Sequence, residues 1–117
     1  EEAMNQTAMI ARLQAMLDKG QDNALLRMTL GKAALDEDRA ADAVLHLSRA
    51  TEFDPQLSVA WKLLGKAHAA LNDDAAARAA FTQALASAEA KGDAQVVKEV
   101  GVFMRRLDKR AAQGDAG

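Results

Sequence analysis

"WKLLGKAHAALNDDAAARAAF", Trp61 to Phe81, is the stretch on which the fold turns. Trp61, Leu64, Gly65 and His68 stand at i, i+3, i+4 and i+7, the spacing of one face of one helix. The polar run Asn72 to Asp74 then breaks the pattern and supplies side-chain oxygens that cap helices. A second alanine-rich segment follows, with Ala77 and Phe81 one turn apart. Two helices joined by so short a turn pack antiparallel, and they approach closely only where the facing residues are small. Gly65 and Ala77 are therefore expected to mark the crossing, with large residues beside it.

The same arrangement occurs 34 residues earlier. Leu30 and Gly31 map onto Leu64 and Gly65 within a repeated LGKA, Ala43 onto Ala77, Leu47 onto Phe81 and Ala50 onto Ala84. The acidic turn at 36–38 maps onto 72–74 within two positions. A whole helix-turn-helix unit has been duplicated, with Gly31 and Ala43 expected at the earlier crossing and Leu30 and Leu47 filling the space beside it.

Start and stop signals extend this reading to the rest of the chain, a single domain over 1–117. A periodic segment at 3–19, with Met9, Ile10, Leu13, Met16 and Leu17 as its apolar stripe, ends at Gly20. Asp22 and Asn23 cap the first unit, 24–57, which Asp54 and Pro55 close because proline cannot continue a helix. The second unit is 58–91. Gly92 ends it, and Asp93 caps a last helix at 93–110, whose Val96, Val100, Phe103, Met104 and Leu107 suit a helix that covers the end of a stack. Residues 111–117 are expected to fray. Abundant alanine and few aromatic residues favour helix throughout, so the expected fold is all-α, with about six helices. Met9, Leu13 and Met16 also precede Ala43, Leu47 and Ala50 by 34, which gives the first helix the register of a unit's second helix.

Composition narrows the function. With 50% apolar and 27% charged residues the chain has the make-up of a folded globular protein. A net charge of −2 provides no broad field for gathering phosphates, which disfavours a nucleic-acid partner. The basic cluster Arg105, Arg106, Lys109 and Arg110 has no interleaved aromatic residues to stack bases, and it suits the negative end of its own helix. The absence of cysteine removes disulfides, thiolate nucleophiles and finger-type zinc sites. No apolar run is long enough to span a membrane, and a cytoplasmic location is the default expectation.

Neither LGKA is a phosphate loop. The glycine required five positions earlier is replaced by Leu26 and Ala60, and the hydroxyl after lysine by Ala33 and Ala67. His46 and His68 have no companion ligands at metal-binding spacing. Glu37 with Asp38, and Asp73 with Asp74, read as exposed turn residues and not as an acid/base pair in a cleft. No catalytic set, metal or cofactor is expected, and the chain is read as noncatalytic.

The two units resemble the tetratricopeptide repeat, whose 34-residue pattern is W-x2-L-G-x2-Y, then A-x3-F, then a helix-ending proline. The second unit carries Trp61, Leu64, Gly65, His68, Ala77 and Phe81; the first carries Arg27, Leu30, Gly31, Ala34, Ala43, Leu47 and Pro55. Glu89 stands where that proline would recur. The resemblance covers about Ala24 to Lys91. It implies a right-handed αα-hairpin superhelix of two full repeats with flanking helices, whose first helices line a concave groove for extended peptides. Projected onto this chain, the groove positions are Leu25, Met28, Lys32 and Leu35, then Val59, Lys62, Lys66 and Ala69. The three lysines fit an acidic or carboxylate-ended peptide. The asparagines that accompany such lysines in chaperone-binding members have no counterpart here. A protein or peptide partner is therefore expected. The alternative is structural: a piece of a longer solenoid, or a homo-oligomer formed through the Met-rich first helix.

Overall fold

The computed structural model describes residues 2–116, with side chains over 5–114. Among these residues there are six helices and no strand: α1 (Glu2–Asp18), α2 (Ala24–Asp36), α3 (Ala40–Phe53), α4 (Ser58–Ala70), α5 (Asp74–Lys91) and α6 (Ala94–Ala116). Sequential helices pack as antiparallel neighbours, and α4 also touches both α2 and α6. The helices α2, α4 and α6 thus form one layer, and α3 and α5 the other.

The boundaries follow from local chemistry. Asn23 caps α2 by accepting a hydrogen bond from the Leu26 amide at 2.9 Å. Asp22, expected to share that task, is instead drawn into an ion pair with Arg27 at 2.9 Å. Asp73 and Asp93 cap α5 and α6 through the amides of Ala76 and Val96. The turns within the two hairpins match to the residue: Asp38 and Asn72, 34 apart, both sit in the left-handed region at φ 60° and 61°. Asp38 is therefore a turn residue and not a cap. Gly92, at φ 73°, ends α5, a conformation glycine adopts without a Cβ penalty.

What meets at the hairpin crossings differs from the expectation of small against small. A Cβ built on Gly31 would lie 2.5 Å from Leu47 Cγ, and one on Gly65 only 2.4 Å from Phe81 Cε1. Each glycine is a pit that receives the large residue sixteen positions later, while Ala43 and Ala77 are buried alongside. Leu47 and Phe81 are thus centred on the crossings. Their full burial follows, since removing a large apolar side chain from water is worth about 1.5–3 kcal/mol.

The hairpins are joined through Pro55. Its carbonyl accepts from Trp61 Nε1 at 2.8 Å and from Ser87 Oγ at 3.3 Å, so the link between repeats is held by the second repeat itself. Two apolar clusters result, one centred on Ala34, Leu47, Leu63 and Leu64, the other on Phe81, Ala84, Val96, Val100 and Leu107. Val59 and Trp61 touch both.

The two ends differ from this interior. The first helix packs against α2 alone, and none of its described side chains is buried. The last helix continues through the segment expected to fray and reaches Ala116 across Gly114, because Ala111, Ala112 and Gln113 favour helix and no proline intervenes.

Candidate functional site

The expected groove positions lie on α2 and α4, in the layer that α6 completes. Leu25 is exposed, whereas Met28, Leu35 and Val59 are half-buried against the core. Lys32 is exposed and pairs with Asp36 one turn on, at 3.1 Å. Lys62 has the most sheltered side chain of the three lysines, 14% accessible, and its Nζ lies 3.0 Å from Glu99 Oε1 on α6. It serves to fasten α6 to α4. Lys66 carries no ion pair among the described residues; its Nζ stands 5.3 Å from the centroid of the Phe103 ring. Ala69 is half-buried, and its carbonyl accepts from Arg110 Nη2 at 3.2 Å.

Lys66 and Ala69 belong to a pocket of about 320 Å³ between α4 and α6, completed by Ala70, Phe81, Phe103, Arg106, Leu107 and Arg110. Its floor is aromatic, since the Phe81 and Phe103 rings stack at a centroid separation of 5.6 Å. Its rim is cationic. Arg106 Cζ lies 5.6 Å from the Phe103 centroid, and among the described residues no carboxylate pairs with it. Arg110 is committed: its guanidinium binds Asp74 in fork geometry, with Nε 3.2 Å from Oδ2, as well as the Ala69 carbonyl. That hydrogen bonding holds the Asp74 carboxyl below its ordinary value and raises the Arg110 guanidinium. Two cations therefore remain to meet an anion over an apolar floor.

The histidines lie apart from this pocket. His46 Nδ1 is 3.2 Å from Arg27 Nη1, which donates to it and fixes the neutral ring with its proton on Nε2. Burial, then the Arg27 charge, pushes its pKa below the ordinary value. Among the described residues no three His, Asp or Glu side chains form a group able to hold a metal ion, and no helix is long and apolar enough to cross a membrane.

No family model matches the chain. The TPR repeat-containing protein PA0015 of Pseudomonas aeruginosa, however, is 54% identical over 101 residues, spanning 86% of this chain and 96% of that protein. The chain belongs to the tetratricopeptide repeat family. The solution structure of protein BPP2914 from Bordetella parapertussis supports the all-helical TPR fold. It superposes with a TM-score of 0.77 at 49% identity and covers 89% of this chain and 90% of that one.

As a TPR chain this is a protein-interaction repeat module. Reading the repeats alone misses the pocket's second wall, because Phe103, Arg106 and Arg110 lie outside the 34-residue pattern. A signal does exist: Phe103, Arg106, Leu107 and Arg110 stand at i, i+3, i+4 and i+7. That spacing sets an apolar edge beside a basic one on a single helix. The terminal basic cluster is thus divided, with Arg106 over Phe103, Arg110 bound to Asp74, and Arg105 beside Gly101.

Proposed function

We propose that this chain is a noncatalytic module that holds an acidic or carboxylate-ended peptide along the face of α2, α4 and α6, anchored in the pocket between α4 and α6. The carrying observation is the convergence of Lys66 and Arg106 on one ring, 5.3 and 5.6 Å from its centroid, with neither in an ion pair among the described residues. A peptide carboxylate placed there gains two cations, and an adjoining apolar side chain gains the floor of Phe81, Phe103 and Leu107. Leu25, Met28, Leu35 and Val59 supply the apolar approach along the same face. Lys32 can take part because its ion pair with Asp36 is exposed, and such pairs contribute only about 0–1 kcal/mol. Lys62 contributes indirectly, by holding α6 in place.

Titration of the labelled protein with an acidic peptide bearing a free C-terminus tests this by NMR. Amide shifts should move at Lys66, Ala69, Phe103 and Arg106. The double substitution Lys66→Ala, Arg106→Ala should weaken binding at least about tenfold, roughly 1.4 kcal/mol, and added salt should weaken the wild-type interaction. Shifts confined to other surfaces, or undiminished binding by the double variant, would refute the assignment.

A further inference from the structure

The last helix has the make-up of a third repeat's first helix. Val97, Val100, Gly101 and Met104 follow the spacing of Trp61, Leu64, Gly65 and His68, displaced by 36 residues instead of 34. Its packing agrees: α6 lies against α5 and α4 as α4 lies against α3 and α2. What differs is the partner over the glycine. Gly31 receives Leu47 and Gly65 receives Phe81, whereas a Cβ on Gly101 would meet only Arg105 Nη1 at 3.5 Å, the tip of a flexible exposed side chain. The helix runs on to Ala116 without turning back, so no helix among the described residues covers this pit. Val97, Gly101 and Met104 are only half-buried.

The opposite end has the complementary deficiency. In α1, Leu13 stands 34 residues before Leu47, and Met9 and Met16 occupy the registers of Ala43 and Ala50. This is the second helix of a hairpin whose first helix is absent from the described residues. Its Met9 is 45% exposed, and its neighbour across the next repeat boundary, α2, is already in place.

We propose that copies of this chain associate head to tail, α1 of one copy docking on α6 of another so that Leu13 enters the pit at Gly101. The docked pair is a third hairpin of the same form as α2–α3 and α4–α5, and the two-layer stacking continues from one copy into the next. The interface is heterologous, a knob on one end and a hole on the other, so each copy keeps one free end of each kind and assembly can extend beyond a dimer. It leaves the α4–α6 pocket out of the contact, and peptide binding neither requires it nor depends on its failure.

Sedimentation velocity of the full chain over about a hundredfold concentration range tests the proposal. The wild type should show weight-average mass rising with concentration. Leu13→Asp and Gly101→Met, each checked for unchanged helicity by circular dichroism, should be monomeric throughout. Because Leu13→Asp keeps an intact pit and Gly101→Met an intact knob, mixing them should restore a one-to-one dimer. Gly101→Ala, which adds a single methyl group in the pit, is a milder second blocking variant. A monomeric wild type at every concentration, a mixture that stays monomeric, or association that survives Gly101→Met would overturn the proposal, the last pointing to symmetric α1–α1 pairing.

Discussion

Gly65→Ala should destabilise this protein although it replaces the poorest ordinary helix former with the best. The added Cβ would lie 2.4, 2.5 and 2.9 Å from three carbons of the Phe81 ring, where ordinary contact begins near 3.4 Å. The ring must retreat by about an ångström, yet it is fully buried and stacked on Phe103. Overpacking of this kind costs about 2–3 kcal/mol, and the gain in helix propensity returns about 1 kcal/mol. The net loss is about 1–2 kcal/mol, which for a chain of this length lowers Tm by about 5–10 °C. Gly31→Ala should be milder, because Leu47 is smaller than Phe81 and is not held in a ring stack. Gly101→Ala should instead stabilise the monomer by up to about 1 kcal/mol, since nothing rigid within the chain stands in its way. Thermal and urea unfolding followed by circular dichroism measures all three. In a double-mutant cycle, Phe81→Leu should couple to Gly65→Ala by more than about 0.5 kcal/mol. A Gly65→Ala protein as stable as the wild type, or a Gly101→Ala protein damaged equally, would show that Gly65 is not a pit filled by Phe81.

Three other outcomes follow from particular contacts. Glu99→Ala removes the carboxylate beside the sheltered Lys62 ammonium and should cost about 1 kcal/mol, less when combined with Lys62→Met, by urea unfolding. His46 has a folded-state pKa below its ordinary 6.5, so the unfolded chain takes up the proton first. Its contribution to stability is complete above that value and declines as pH falls through it towards the folded pKa. Urea midpoints should therefore drop between about pH 7.5 and pH 5.5, and His46→Gln should flatten that slope. Asp22, held below its ordinary 3.8 by the Arg27 hydrogen bond, adds a separate loss on further acidification that Asp22→Asn should remove.

The hairpins were legible because their determinants are local. Glycine positions, the cap oxygens of Asn23, Asp73 and Asp93, and the break at Pro55 act within a few residues of where they stand. The geometry over the glycines was less so: sequence spacing shows that Gly31, Ala43 and Leu47 share a crossing, but not that the largest of them is centred on it. The third first helix was concealed by a register change. Pro55 halts α3, whereas Glu89 at the corresponding place lets α5 run to Lys91, so the pattern resumes two residues late. Of the site, the α2 and α4 residues were readable from the repeat. The capture of Lys62 by Glu99, 37 residues away, and the pairing of Lys66 with Phe103 both depend on where α6 docks. No local pattern encodes that docking.

The most direct measurement is a proton NOE spectrum of the labelled protein. Cross-peaks are expected from the Gly65 Hα protons to the Phe81 ring and from the Gly31 Hα protons to the Leu47 methyl groups. Gly65 contacts to other side chains, with Phe81 cross-peaks missing, would contradict this packing.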